Sequence, residues 1–232
     1  MLRKHDQMDD TQMNKTILSA ILVLGTMASP ALAEMEVSIY TGWQTSPHSR
    51  VTGDYPGTGE EFDALIGWEG RSFEMPPYYG VRGTWWRDEK LGFGLEFTHA
   101  KVYAPDDEKA AIGFSDLEFT DGINILTVNA YQRWPGLWAD GALTPYVGGG
   151  VGVAIPHVDI DTTTGIETYE FQYTGPAARL TAGVTYDLNE RFAVFGEYQF
   201  TYSVNSVDLP EGGSLETDIK TNALNVGLTL KF

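Results

Sequence analysis

The sequence predicts an all-β fold: an eight-stranded antiparallel up-and-down transmembrane β-barrel with short periplasmic turns and long outer loops. Three observations predict it. Apolar residues alternate with polar or small ones along Leu224–Phe232, as in a strand with lipid on one face and a polar lumen on the other. Eight such segments can be counted, most of them long enough to cross a bilayer when tilted, which takes about 9–11 residues. The links between the segments alternate between long and short.

The strands follow one another with this alternation. The first places Val37, Ile39, Thr41 and Trp43 on one face. In chain order the predicted strands are Glu36–Gln44, Tyr78–Trp86, Phe93–Tyr103, Ile123–Trp134, Pro145–Val158, Gly175–Leu188, Phe192–Val204 and Leu224–Phe232. The second and sixth end in tight turns at residues 88–90 and 189–191, and the long links follow the odd-numbered strands. Eight strands form the smallest common closed barrel, whose interior is filled by side chains.

One further segment, Asp63–Gly70, also has the pattern of a strand. A ninth spanning strand would give an odd number and put the C-terminus on the wrong side of the membrane. We therefore expect this segment to be part of a long second strand that protrudes outside, kinked where Met75–Pro77 interrupts pairing. A ten-stranded barrel is the alternative.

The N-terminal region has the pattern of a secretory signal peptide. The cationic stretch Asn14–Thr16 precedes a 12-residue apolar run, Ile17–Ala28, and the exit Ala31–Ala33 has the small-residue spacing of a cleavage site. The run is shorter than the ~20 residues of a spanning helix. Three acidic residues lie before Met13, which we expect to be the true start. Cleavage after Ala33 then leaves the barrel over residues 34–232; the alternative is an apolar N-terminal helix that stays.

Composition and the chain end bear on location and partners. The chain has no cysteine, which excludes disulfides. Its net charge of −17 argues against nucleic acid as a partner, because phosphate binding needs a cationic surface. Acidic loops either keep a surface domain soluble or gather divalent cations near anionic lipid.

The terminal strand, which stops on Phe232, resembles the C-terminal sorting signal of bacterial outer-membrane barrels. That resemblance implies the outer membrane as the location and the barrel assembly machinery as a partner during insertion.

The strand alternation points a polar set of side chains into the lumen. The set is Arg82, Glu96, Asn129, Arg133, Arg179, Glu197, Gln199 and Asn225. Buried charges must be paired, so we expect Arg82 to pair with Glu96 and Arg179 with Glu197. The predicted result is a salt-bridged plug that fixes the barrel; a catalytic or conducting lumen is the alternative.

Three histidines follow outward-running strands or lie in them: His48, His99 and His157. Near one another at the outer rim, three imidazoles could bind a transition metal or handle protons. The alternative is three separate interfacial histidines.

Three stretches carry a resemblance to a known family. They are Tyr40–Ser49, Gly67–Gly80 and Phe119–Asn124. They resemble the small outer-membrane β-barrels of alphaproteobacteria known as lipid A oxidases, and the middle stretch, with Trp-Glu-Gly-Arg-Ser-Phe-Glu-Met-Pro-Pro, is the most specific because barrel physics does not require it. The resemblance implies lipid A or lipopolysaccharide as partner and oxidation of the proximal glucosamine to 2-aminogluconate with oxygen.

Such an oxidation needs a metal or organic cofactor, and no flavin fingerprint is present, so a divalent or redox-active metal is the simpler expectation. The candidate catalytic and metal-binding residues are His48, His99 and His157, with Glu69 and Glu74 as carboxylates from the protruding segment. Arg71 and Lys101 are the candidate cations for lipid phosphate. The alternative is a non-enzymatic surface barrel that serves envelope integrity or adhesion.

Overall fold

The computed structural model describes residues 34–119 and 122–232. Glu34–Phe232 forms a compact unit. The signal peptide predicted over residues 1–33 lies outside the described residues, as do Thr120 and Asp121. No helix in the described part of the chain has the length and apolarity to cross a membrane.

Fourteen strands and one α-helix form the described chain. In order they are β1 (Glu34–Thr45), β2 (Ser49–Asp54), β3 (Glu61–Ile66), β4 (Tyr79–Trp86), β5 (Leu91–His99), β6 (Val102–Tyr103), α1 (Asp106–Ala111), β7 (Phe114–Phe119), β8 (Ile125–Arg133), β9 (Leu143–Ala154), β10 (His157–Thr162), β11 (Glu167–Phe171), β12 (Gly175–Asp187), β13 (Phe192–Asp208) and β14 (Ser214–Lys231). Short 3-10 turns lie at Ala139–Gly141 and Pro210–Gly212.

Eight of these strands close into an antiparallel barrel in the order β1-β4-β5-β8-β9-β12-β13-β14, and β1 pairs with β14 to complete the circle. The closing register runs from Glu36 opposite Lys231 to Thr45 opposite Asn222. The predicted eight-stranded barrel is therefore confirmed. Closure matters because lipid offers no partner to an unpaired backbone group.

The wall of the barrel is apolar on the outside and polar on the inside. Outward residues such as Ile39, Val128 and Val226 are more than half exposed, whereas inward Thr127 and Gln199 are buried. This arrangement is the reverse of a water-soluble barrel and matches a wall that faces lipid.

The two ends of the barrel differ. Both Glu34 and Lys231 lie at the end where short links join β4 to β5, β8 to β9 and β12 to β13. The opposite end carries the long loops. In transmembrane barrels short turns face the periplasm and long loops face outward.

The long loops fold together rather than lying loose. β2 and β3 form a hairpin that pairs with the outer part of β14, and β11, β10, β7 and β6 form a separate four-stranded sheet in that order. We call the part made by β2, β3, β6, α1, β7, β10 and β11 the loop cap. Its apolar core includes Val51, Ile66, Phe114, Leu117 and Ile160, all essentially inaccessible to solvent.

The expectation for Asp63–Gly70 is wrong. The first half of this segment, Asp63–Ile66, belongs to β3, which pairs with β2 and does not continue β4. The apolar residues Phe62 and Ile66 of β3 are buried in the core of the loop cap. The ten-stranded alternative is also wrong, because β2 and β3 extend the sheet beside the outer half of β14 without entering the closed circle.

Two of the predicted strands extend beyond the end of the strand that the structure shows. β5 ends at His99, and Val102 and Tyr103 pair with β7 in the loop cap as β6. β9 ends at Ala154, and the predicted residues up to Val158 divide at Pro156, whose missing N–H cannot continue a ladder. At the first break the alternation gives way to residues 99–104, which are all buried, and at the second it changes phase, from Val153 and Ile155 to Val158 and Ile160.

Candidate functional site

A network of four charged side chains crosses the barrel lumen. Arg82 Nε lies 2.9 Å from Glu96 Oε2, and Arg82 Nη2 lies 2.8 Å from Glu197 Oε1. Arg179 forms an ion pair with Glu96 through Nη1. The Arg82–Glu96 pair is the one expected, but Arg179 reaches Glu96 instead of Glu197, because these long side chains span the lumen rather than meeting their neighbours on the wall.

Uncharged groups complete the network. The phenols of Tyr40 and Tyr131 donate to Glu96, each at 2.6 Å, and that of Tyr146 donates to Glu197. Further donors are the amides of Gln199, 3.0 Å from Glu96, and Asn225, 3.1 Å from Glu197. Each carboxylate oxygen thus accepts at least two hydrogen bonds. Such saturated carboxylates fix the shape of the lumen and are poor candidates for proton transfer.

Glycines on the wall make room for these phenols. A Cβ at the glycine beside each ring would approach within 2.1–2.7 Å of ring atoms or the hydroxyl; the pairs are Gly80 with Tyr40, Gly148 with Tyr131 and Gly183 with Tyr146. The glycine-rich composition of the barrel therefore has a packing role in the lumen.

Each of the three histidines has its own surroundings. His48 is exposed before β2, and its ring packs so closely on Gly67 that a Cβ there would lie 2.7 Å from Nε2. His99 stacks on Tyr79 with ring centroids 5.1 Å apart, and its Nδ1 lies 3.1 Å from Asn124 Oδ1.

His157 meets the rings of Tyr169 and Phe171 edge-on at 4.3 and 4.8 Å. His157 and His99 both adjoin Gly122: the backbone N–H of His157 donates to its carbonyl at 3.1 Å, and the His99 ring packs against its Cα.

No group of three or more histidine, aspartate or glutamate side chains within residues 34–119 and 122–232 is arranged to hold a metal ion. The expected convergence of His48, His99 and His157 on one metal, with Glu69 or Glu74, is therefore not formed by the described side chains. Two of the histidines approach one loop, and the third packs at Gly67, the glycine that follows β3.

The structure does bring together the predicted residues of the protruding segment. Glu69, Arg71 and Glu74 line a cavity of about 450 Å³ at the long-loop end, which we call the rim cleft. Its complete lining is Trp43, Gln44, Thr45, Trp68, Glu69, Gly70, Arg71, Ser72, Phe73 and Glu74. Trp43 belongs to the lipid-facing side of β1 and Phe73 is 73% exposed, so the cleft opens where the wall meets the loop cap.

The segment that forms the cleft is held by hydrogen bonds to the barrel and the cap. Ser72 Oγ accepts from the backbone N–H of Gln44 at 2.8 Å and donates to its carbonyl at 3.2 Å. Backbone groups of Glu69 and Tyr103 bond each other in both directions, at 2.9 and 3.0 Å. These hydrogen bonds fix the position of the segment that forms the cleft.

Arg71 is the cation that the cleft presents. Its Nη2 lies 2.9 Å from Glu69 Oε2, its guanidinium lies 4.4 Å from the centre of the Tyr103 ring, and about a third of its side chain is exposed. Its Nε also donates to Glu69 Oε2 at 3.0 Å, so the Nη1 side of the guanidinium is the side that can take up a phosphate.

Lys101 has a different position from the one expected. It is fully buried, its Nζ donates to the backbone carbonyl of Glu74 at 2.8 Å, and it lies 5.3 Å from the Tyr103 ring. A buried ammonium cannot meet lipid phosphate, so the expectation of phosphate binding is wrong for this residue. Lys101 supports the floor of the cleft instead. The role of Tyr103 could not be predicted from the sequence, because only the fold places its ring beside both Arg71 and Lys101.

Carboxylates stand opposite one another on the four-stranded sheet of the loop cap. Asp159 is in register with Glu118, and Asp161 with both Asp116 and Glu167. Burial, together with the charges of Asp159 and Asp116, raises the pKa of Glu118 to about 7. Like charges in direct register weaken a sheet, so this face is under electrostatic strain when all the groups are ionised.

Comparison with known proteins bears on the fold. A family model described as an outer membrane protein beta-barrel domain matches residues 17–232. Similar solved structures include OprG from Pseudomonas aeruginosa, 14% identical, covering 86% of this chain and 96% of its own, with a TM-score of 0.48. Neisserial surface protein A is 13% identical, with 85% and 97% covered and a TM-score of 0.46. A search of curated proteins gives no match.

Proposed function

From the premise that the chain belongs to the outer membrane protein beta-barrel domain family, we propose that this outer-membrane barrel engages lipid A through its rim cleft. The finer part of the proposal is that the barrel oxidises the proximal glucosamine of lipid A to 2-aminogluconate with oxygen. Residues 1–33 act as the export signal in this proposal, and the barrel assembly machinery inserts the chain after reading the strand that ends at Phe232.

The observation that carries the proposal is the position of Arg71 beside the lipid-facing Trp43 in one cleft. Lipid A places phosphate groups and sugars at the height where acyl chains give way to the surface. Tryptophan favours that interface, and arginine favours phosphate. The segment Gly67–Gly80, which carries the resemblance to lipid A oxidases, supplies most of the cleft lining.

The redox part has less support from the side chains. Conversion of the sugar's C1 hemiacetal to an acid removes two electrons and two protons and takes up water, and oxygen accepts the electrons and protons as hydrogen peroxide. A metal is the simplest carrier for those electrons, but the described residues do not form a metal site, so we assign no step to a metal. The described residues of the cleft can bind and orient: Arg71 for an anionic group, and Glu69 and Glu74 as acceptors for sugar hydroxyls.

The second candidate is a non-enzymatic barrel that binds lipopolysaccharide for envelope integrity or adhesion, which the binding residues of the rim cleft support without any redox step. Both candidates share the rim cleft. They differ in whether lipid A leaves the cleft with an extra oxygen atom.

Mass spectrometry of lipid A tests the proposal, with the full chain expressed in a host that lacks the activity and whose lipid A has a free C1 hydroxyl on the proximal glucosamine. We expect a mass gain of one oxygen atom with the wild type, loss of that gain with Arg71→Ala, and no change with Arg50→Ala. Arg50 is a matched control because it is an exposed arginine on the loop cap, paired with Asp63 away from the cleft. A heat-modifiable shift on gels verifies that each variant is folded.

Lipopolysaccharide that copurifies with the barrel separates the two candidates. Unmodified lipid A from a folded wild type would remove the oxidase. If Arg71→Ala and Arg50→Ala then retained equal amounts of lipopolysaccharide, the cleft would also be excluded as the binding site.

A further inference from the structure

The short-turn end of the lumen holds a second cavity, of about 210 Å³, that the proposed function does not use. Its floor includes Arg82, Tyr131 and Tyr146, which belong to the charged network. The network closes the cavity on its inner side, so a molecule that enters from the short-turn end cannot pass through. We call this cavity the vestibule.

Charged groups of both signs surround the vestibule. Arg133 lies 2.6 Å from Glu34 and 3.1 Å from Glu36, and Lys231 lies 2.6 Å from Asp187. In Glu34, Glu36 and Asp187, one carboxylate oxygen contacts the cation and the other takes no part in the ion pair. Hydroxyl groups of Ser38, Thr84, Thr144, Thr185 and Thr229 complete the polar lining. The vestibule therefore presents many hydrogen-bond acceptors and donors within a small volume.

Trp86 supplies an independent indication of a ligand. Its side chain is buried and lines the vestibule, and its indole Nε1–H makes no well-aligned hydrogen bond within the described residues. Glu36 accepts a hydrogen bond from this N–H, but the geometry is too poor to satisfy the donor. The guanidinium of Arg133 lies 3.9 Å from the ring centre and fixes the indole. Buried donors are nearly always satisfied, so an acceptor is expected here.

We propose that the vestibule is a binding site for a monosaccharide-sized polyol that enters from the periplasm. A sugar hydroxyl both donates and accepts, which matches a lining where carboxylates alternate with cations. A hydroxyl or ring oxygen of the ligand accepts from Trp86 Nε1–H, and neighbouring hydroxyls donate to Glu36 and Asp187. This site lies at the other end of the barrel from the rim cleft and does not depend on lipid A.

The test follows the indole resonance of Trp86 by NMR in the full-length barrel, in a phosphocholine detergent that brings no sugar headgroup. The probe is glucose, and cyclohexanol is the control compound, with a similar ring but one hydroxyl. Trp86→Phe assigns the resonance. We expect a saturable shift with glucose and none with cyclohexanol.

Two charge-neutralising variants make the test specific. Glu36→Gln should weaken glucose binding by about tenfold, because it removes a charged acceptor. Glu190→Gln, an exposed residue in the turn at the same end, should leave binding unchanged. The proposal is overturned if glucose causes no saturable shift, if cyclohexanol shifts the resonance equally, or if folded Glu36→Gln binds glucose as the wild type does.

Discussion

Arg82 is the residue on which the lumen network depends most. It pairs with both Glu96 and Glu197, and it is the cation that neutralises Glu197 in the described part of the chain. Glu96 keeps a second cation, Arg179, if Arg82 is lost. The two carboxylates are equally buried, but only Glu96 would keep a cationic partner if Arg82 were lost.

Arg82→Met should therefore destabilise the barrel by about 3–5 kcal/mol, the usual cost of leaving a buried charge unpaired. Adding Glu197→Gln should recover more of that loss than adding Glu96→Gln, since Glu197 is the carboxylate left without a cation. Urea unfolding in lipid vesicles measures each variant, and a double-mutant cycle gives the coupling. Equal recovery of stability by Glu197→Gln and Glu96→Gln would contradict the prediction that Glu197 depends more on Arg82 than Glu96 does.

Strand alternation was sufficient to place Arg82, Glu96, Arg179 and Glu197 in the lumen, because side chains follow a period of two. It was not sufficient to pair them. Arg179, on β12, stands opposite Thr201 of β13 and Gly150 of β9. Its partner Glu96 is on β5, which pairs with none of these three strands. Contacts across a lumen depend on barrel closure and side-chain reach, which a single strand does not encode.

At the scale of elements, β7 and β10 are joined by hydrogen bonds but opposed by charge. Glu118 has Asp159 opposite, Asp116 two residues away on its own strand, and the cations Lys109 and Arg71 within electrostatic range. An acid whose pKa is raised on folding binds more protons folded than unfolded, so folding is less favourable as pH rises.

The loop cap should therefore lose stability as pH rises from about 4.5, the ordinary pKa of Glu118, through its folded value of about 7. Amide exchange of β7 and β10, corrected for the intrinsic effect of pH, measures this. Glu118→Gln should flatten the dependence and slow exchange at pH 8, whereas Glu190→Gln should not. Identical pH profiles for Glu118→Gln and the wild type would show that Glu118 is not the titrating group.

The errors in element assignment have one physical cause. β3 and β10 alternate apolar and polar residues as the membrane strands do, because they too bury one face, whereas both residues of the short β6 are buried. In their case the buried face meets the core of the loop cap and not lipid. Pro156 marked one boundary in the sequence, but the pairing of β10 with β7 joins two different loops that are far apart in the chain.

For the whole molecule, the network and the loop cap close the barrel at two levels. Glu96 and Arg179 are almost completely inaccessible to solvent. A lumen filled by paired charges offers an ion no continuous path of water.

We accordingly expect no discrete current steps when the purified protein is added to a planar bilayer under voltage. An open porin added afterwards to the same bilayer shows that channels can be detected. Reproducible steps whose size scales with salt concentration would show that the lumen opens.

The pairing of β1 with β14 also sets the order of events in folding. Glu36 lies opposite Lys231, so the earliest strand to leave the ribosome and cross the inner membrane must wait for the latest one before either has both its neighbours. The β2–β3 hairpin waits as well, because its support is the outer half of β14. With contacts so distant in sequence, closure is slow, and until then the apolar faces of seven strands need protection from one another in the periplasm.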